Sequence, residues 1–101
     1  MGTCSYILHG TEKGMKDTFG SAIHGAGRKM SRNQAKRRWR GNNVVNNLER
    51  KGIIIKGHSL AGIAEESPDA YKDVNHVVDV MHNSEIVRKV ALVKPLISIK
   101  G

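Results

Sequence analysis

The chain holds one cysteine, two prolines, one tryptophan and one phenylalanine, and each scarcity removes a class of protein. With Cys4 alone, no disulfide forms within the chain and no cysteine-rich zinc centre can be built, which suits a reducing compartment. No run is long and apolar enough to span a bilayer, and the start lacks the charged-then-apolar order of a signal peptide. A soluble, cytoplasmic protein with no membrane partner is expected. Aromatic residues make up 4% of the chain, so Ile, Val and Leu must supply the core. At 101 residues the chain is one domain or less and buries a limited share of its surface. It contains no internal repeat.

Acids are also scarce: 9 Asp and Glu stand against 17 Lys and Arg, a net charge of +8. The excess is local. Arg28, Lys29, Arg32, Lys36, Arg37, Arg38 and Arg40 fall within thirteen positions that hold no acid. A single-sign block of this kind repels itself and suits a polyanion, either nucleic acid or nucleotide phosphate, better than a merely solvated face.

Periodicity and capping predict an α+β fold, a small mixed sheet with helices packed on it. Ser5-Tyr6-Ile7-Leu8 reads as a strand, and Thr11 caps a short helix running to Asp17. Ser31 caps a basic helix over residues 32–40, which Gly41 interrupts, and residues 42–51 form a further helical stretch carrying Val44, Val45 and Leu48 on one side. Ile53-Ile54-Ile55 is the clearest strand core. Residues 59–64 make a helical turn, and Ser67-Pro68 starts another with proline at its first position. Asp73 caps a helix over residues 74–83 whose Val74, Val77, Val78 and Met81 share a face. Two β-prone runs close the chain, residues 90–93 and 96–99, with Pro95 marking an edge or a bend between paired strands.

The segment Phe19-Gly20-Ser21-Ala22-Ile23-His24-Gly25-Ala26-Gly27-Arg28 sets one histidine in a backbone nearly stripped of side chains, with a cation directly after it. Glycines allow main-chain N–H groups to approach an anion closely, and an arginine fork matches phosphate oxygens. His24 could serve there as a base, a metal ligand or a phosphoryl-accepting nucleophile. The plainer alternative is a glycine-rich turn whose histidine caps a carbonyl. His76 and His82 are six residues apart, the wrong offset for one helical face, so no metal site is expected from this chain alone.

Several motifs in register carry a more specific message. Met1-Gly-Thr-Cys-Ser5-Tyr6, Gly10-Thr11-Glu12-Lys13, Phe19-Gly20-Ser21 and His24-Gly25-Ala26-Gly27-Arg28 come in order, followed by Ser31-Arg32. Then come Leu48-Glu49-Arg50-Lys51-Gly52-Ile53, residues 60–68 as LAGIAEESP, Ala70-Tyr71-Lys72-Asp73-Val74, Leu92-Val93-Lys94-Pro95-Leu96 and Lys100-Gly101. Together they resemble the C-terminal part of the RtcB family, the GTP-dependent RNA ligases of tRNA splicing and RNA repair. The likeness spans residues 1–101 as one segment. Ile23 departs from the family, which more often has a small residue or cysteine there, and residues 37–47 match it less closely.

The resemblance implies that His24 attacks the α-phosphate of GTP and carries a guanylate, which passes to an RNA 3′-phosphate and activates it for a 5′-hydroxyl. Ends bearing a 2′,3′-cyclic phosphate are opened to the 3′-phosphate first. Met1, Ser5, Gly25, Ala26, Gly27 and Lys100 match positions around the guanine nucleotide. Arg28 and Arg32 are candidates for phosphate contacts, and Lys36 and Arg37, on the basic helix, for the RNA backbone. Manganese is implied as the metal, with ligands outside this chain in a larger N-terminal portion, the expected partner besides RNA and GTP. The isolated chain is therefore expected to be inactive. A non-catalytic basic RNA- or nucleotide-binding module is the alternative.

Overall fold

In the computed structural model, which describes residues 1–101, the chain is α+β and divides into two compact units. One comprises Met1–Thr3, Arg28–Tyr71 and Lys94–Gly101, the other Cys4–Gly27 and Lys72–Val93.

The first unit contains helices α2 (Arg32–Arg38), α3 (Gly41–Arg50) and α4 (Leu60–Glu65), with strands β2 (Ile54–Gly57) and β4 (Ile97–Lys100). Ser31 starts α2 through a reciprocal box: its hydroxyl accepts from Gln34 N–H at 3.1 Å, and the Gln34 side chain accepts from Ser31 N–H at 3.0 Å. Two otherwise orphaned donors are satisfied at once. The helix stops at Arg38, because Trp39 and Arg40 are extended and Gly41 opens α3. Gly41 therefore begins a helix where the sequence suggests an interruption. The reason is close approach, since a Cβ on Gly41 would lie 2.7 Å from both the carbonyl carbon and the Cβ of Leu60.

Along α3, Val44 and Leu48 are buried and Val45 is half-buried, and the asparagines face water. They meet Ile53, Ile55 and Ile63 in the core, with Met1 and Trp39 packed on its margin. Strand β2 runs parallel to β4, pairing Ile54 with Ile97 and Gly57 with Lys100.

The second unit contains β1 (Ser5–Gly10), α1 (Glu12–Thr18), α5 (Val74–Asn83) and β3 (Val87–Val93). Strands β1 and β3 are antiparallel, with a register shift between Ile7 and Leu8. Thr11 caps α1 by accepting from Gly14 N–H at 2.9 Å, and its hydroxyl also lies 2.6 Å from the Glu85 carbonyl oxygen. Asp73 caps α5 through Asn75 N–H, and the face predicted for that helix centres on buried Val78. The mixed pairing is thus divided between two ribbons. Pro95 does not bend between paired strands, because β3 and β4 find their partners in β1 and β2.

Leu48 is 2% exposed, and Leu48→Ala should cost about 2–5 kcal/mol in urea unfolding, the range for a buried leucine leaving a cavity. At Gly41 two effects oppose. Alanine is favoured by roughly 1 kcal/mol in a helix, whereas overpacking against the Leu60 backbone costs about 1–3 kcal/mol. Gly41→Ala should therefore lower the urea midpoint, and a raised midpoint would show that the α3–α4 approach is not tight.

Candidate functional site

The glycine-rich segment leaves α1 through Phe19, whose left-handed backbone (φ 55°) ends the helix and whose ring is 89% exposed. Its upstream end is tied by Ser21 N–H donating to the Thr18 carbonyl at 2.9 Å. The downstream end is tied by the Gly27 carbonyl, which accepts from Lys72 N–H at 2.9 Å. Gly27 holds φ 77°, a conformation open to glycine at little cost. Between these tethers, residues 22–26 donate no backbone hydrogen bond within the chain. His24 and Gly25 are exposed, and neither imidazole nitrogen has a hydrogen-bond partner. A Cβ built on Gly25 would meet nothing within 4 Å. The site therefore offers a free imidazole beside a row of unpaired N–H groups and an open approach, features that fit an anionic phosphate ligand.

The other expected nucleotide contacts are placed as follows. Ser5 is exposed at the first position of β1. Ala26 is half-buried. Met1 and Lys100 are half-buried in the first unit. Burial, and then the charge of Lys100, hold the Met1 amino group below its ordinary value, with Glu66 opposing.

The basic block has two fates. Arg28 donates from Nε to the Met30 carbonyl (3.0 Å), from Nη1 to Glu66 (3.3 Å) and the Tyr71 hydroxyl (3.0 Å), and from Nη2 to the Glu65 carbonyl (2.5 Å). Four of the five guanidinium N–H groups are thus engaged internally. Its carbon also lies 4.8 Å from the centre of the Tyr71 ring. Arg32 approaches Glu65 and Glu66 at 3.9 and 3.8 Å, and Lys36 reaches Glu65 at 3.4 Å. Lys29, Arg37, Arg38 and Arg40 make no ion pair and remain exposed. Of the residues expected to meet phosphate or RNA, Arg28, Arg32 and Lys36 share two carboxylates, and Arg37 stands free.

Sequence reasoning does not find Glu65 and Glu66 as partners of that block. Their adjacency is visible, but only the packing of α4 beside α2 brings them to it. Tyr71 completes the group by donating to Glu66. Burial foremost, then Glu66, raises its phenol above the ordinary value, with Arg28 opposing.

Elsewhere, the His82 ring accepts from Lys89 N–H at 3.1 Å, and Lys89 pairs with Asp79, holding that carboxyl below its ordinary value. No three His, Cys, Asp or Glu side chains gather into a group that could hold a metal ion. No helix is long and apolar enough to cross a membrane.

The unpaired loop around His24 and, separately, the cations of residues 29–40 that make no ion pair are the two features open to an anionic ligand. A family model described as tRNA-splicing ligase RtcB matches residues 1–101. The tRNA-splicing ligase RtcB of Archaeoglobus fulgidus is 56% identical over all 101 residues, which cover 21% of that protein. The same-named protein of Methanococcus maripaludis is 52% identical with the same coverage. That of Methanocaldococcus jannaschii is 50% identical, and the chain covers 10% of it. The chain belongs to the RtcB family and spans about a fifth of the length of the first two relatives.

Glu66→Ala should cost about 1–3 kcal/mol, because it leaves Arg28 and Tyr71, both half-buried, without their shared acceptor. Lys36, 38% exposed, should cost under about 1 kcal/mol when changed to Ala. Tyr71 has a raised folded value, so its contribution is fully present below the ordinary phenol value of 10.0 and is lost as pH climbs through the raised one. Melting temperature should fall in that alkaline range, and less steeply in Tyr71→Phe. Equal slopes in the two proteins would remove Tyr71 as the titrating group.

Proposed function

We propose that this chain is the guanylate-accepting segment of an RNA ligase. It would join RNA 3′-phosphate or 2′,3′-cyclic phosphate ends to 5′-hydroxyl ends, as in tRNA splicing and RNA repair. The observation that carries this is His24, exposed and free of hydrogen bonds inside a loop whose backbone donors are unspent.

A lone pair on an imidazole nitrogen attacks the α-phosphorus of GTP, and the bond to the bridging oxygen breaks, releasing pyrophosphate. The N–H groups of residues 22–26 face the charge that builds on the phosphate oxygens. An oxygen of the RNA 3′-phosphate then displaces the imidazole, taking the guanylyl group. The 5′-hydroxyl, losing its proton, attacks the activated 3′-phosphorus, and GMP leaves as the phosphodiester forms. Ser5, Met1 and Lys100 are assigned to the guanosine. Gly25, Ala26 and Gly27 present main chain to it. Arg32, Lys36 and Arg37 are assigned to phosphate and RNA. Arg28, with one N–H left over, touches phosphate only while holding its internal partners.

Manganese is implied for the family and would supply a Lewis acid at the transferred phosphate. The residues of this chain do not fit it, since no three metal-ligating side chains come together, and its ligands are assigned to the rest of the ligase. That larger portion is also the proposed partner of the apolar faces left open here. Leu96, Ile97 and Ile99 at β4 are 76, 58 and 79% exposed, and Val90, Leu92 and Val93 of β3 are likewise exposed, more than a chain standing alone favours.

The chain should be incubated with α-labelled GTP and manganese, alone and with the complementary N-terminal portion of a relative. No label on the chain alone, and acid-labile label on the complemented chain that His24→Ala reduces to background, is the expected result. Ligation by the chain alone would refute the need for a partner. Label that survives His24→Ala would refute the nucleophile, and salt-sensitive RNA retention without any label would favour the non-catalytic module.

A further inference from the structure

A cleft of about 330 Å³ opens in the first unit beside α3, within the size range of small-ligand sites. Val44 and Leu48 of the core line it, and Trp39, the chain's single tryptophan, forms part of its wall. Arg38 lies 5.2 Å from the centre of the Trp39 ring, adding a cation to the aromatic surface. Asn43 and Asn47, both exposed, also line the cleft. Four residues apart on a helix, they share one face. Arg50 and Lys51 follow where α3 ends, and Asp69 is the cleft's single acid.

None of these polar side chains is spent on the fold. Asn43, Asn47, Arg50, Lys51 and Asp69 make no side-chain hydrogen bond and no ion pair, and the Trp39 indole N–H donates to nothing. The contrast with Arg28, Arg32 and Lys36, all paired to Glu65 or Glu66, is sharp.

We propose that this cleft binds one base–phosphate unit of single-stranded RNA. The indole supplies a stacking surface that accepts any base. The two carboxamides can donate and accept along a base edge, and Asp69 accepts from exocyclic amino or ring N–H groups. Arg50 and Lys51 take the phosphate, with Arg38 extending the positive surface along the strand. A free mononucleotide offers the same chemistry, but the run of unpaired cations outside the cleft favours a polymer. The choice of RNA rests on the ligase reading above; the cleft itself does not.

Trp39 is its own reporter. Titrating the full chain with a short single-stranded RNA of mixed sequence should quench its fluorescence saturably, with affinity falling as salt rises. By anisotropy of labelled RNA, Asn43→Ala with Asn47→Ala should weaken binding roughly 5- to 10-fold. Arg50→Gln with Lys51→Gln should weaken it by a similar factor and flatten the salt slope. Trp39→Phe should retain most of the affinity, and Trp39→Leu should lose about 5- to 100-fold. The asparagines are exposed, so their variants fold even where Trp39→Leu does not. Unchanged affinity in the folded asparagine and Arg50/Lys51 variants would overturn the proposal, as would a full quench by GTP with no response to RNA. Guanylylation of the complemented chain, measured on the same variants, should be unaltered by the cleft substitutions. Failure of His24 to take label, with cleft-dependent RNA affinity intact, would count against the ligase reading and for the cleft.

Discussion

Two adjacent carboxylates at the end of α4 decide how the first unit uses its positive charge. Glu65 and Glu66 together engage Arg28, Arg32 and Lys36, so that α4 is tied to α2 by two cations of that helix and to the segment before it by a third. Exposed ion pairs of this kind contribute little one at a time. The Arg28 pair differs, because both side chains are about one-fifth exposed and the guanidinium is nearly saturated by fixed acceptors. Removing either partner there leaves a half-buried charge uncompensated, which costs more than the pair contributes. The cations are thereby sorted: Arg28, Arg32 and Lys36 are engaged by these carboxylates, and Arg37, Arg38 and Arg40 make no ion pair.

The loop around His24 obeys the opposite rule. Where Arg28 spends nearly every donor, residues 22–26 spend no backbone N–H. Ala22, His24 and Gly25 are exposed, and an N–H open to water carries little penalty for lacking a partner in the chain. Both ends of the loop are tied, by Thr18 and by Lys72. A side chain at position 25 would meet no protein atom within 4 Å, so the fold itself does not require this glycine.

Much of the local structure was legible in the sequence. Thr11, Ser31 and Asp73 all cap the helices they precede, and Pro68 opens a 3-10 turn at its first position, because capping is settled within four residues. Gly41 was misleading for a tertiary reason: its lack of a Cβ answers to Leu60, nineteen positions away. The early stop of α2 at Arg38 and the partners of β3 and β4 were hidden likewise, since strand pairing depends on distant segments. His24 could be singled out by its neighbours alone, whereas the engagement of Arg28 required Glu65, Glu66 and Tyr71 to be brought together. The cleft beside Trp39 was invisible for the same reason, being built from α3 and a turn that begins at Ser67.

Each unit carries only two strands, and a two-stranded ribbon is marginal in water unless its apolar face is covered. Helices cover part of these ribbons: Ile55 is buried, while Ile97 and Ile99 stand open on β4. In the other ribbon Val87 is buried and Val90 is open. Relatives several times longer carry additional chain beside the matched segment. Covering those faces would remove apolar surface from water at about 25 cal/mol per Å².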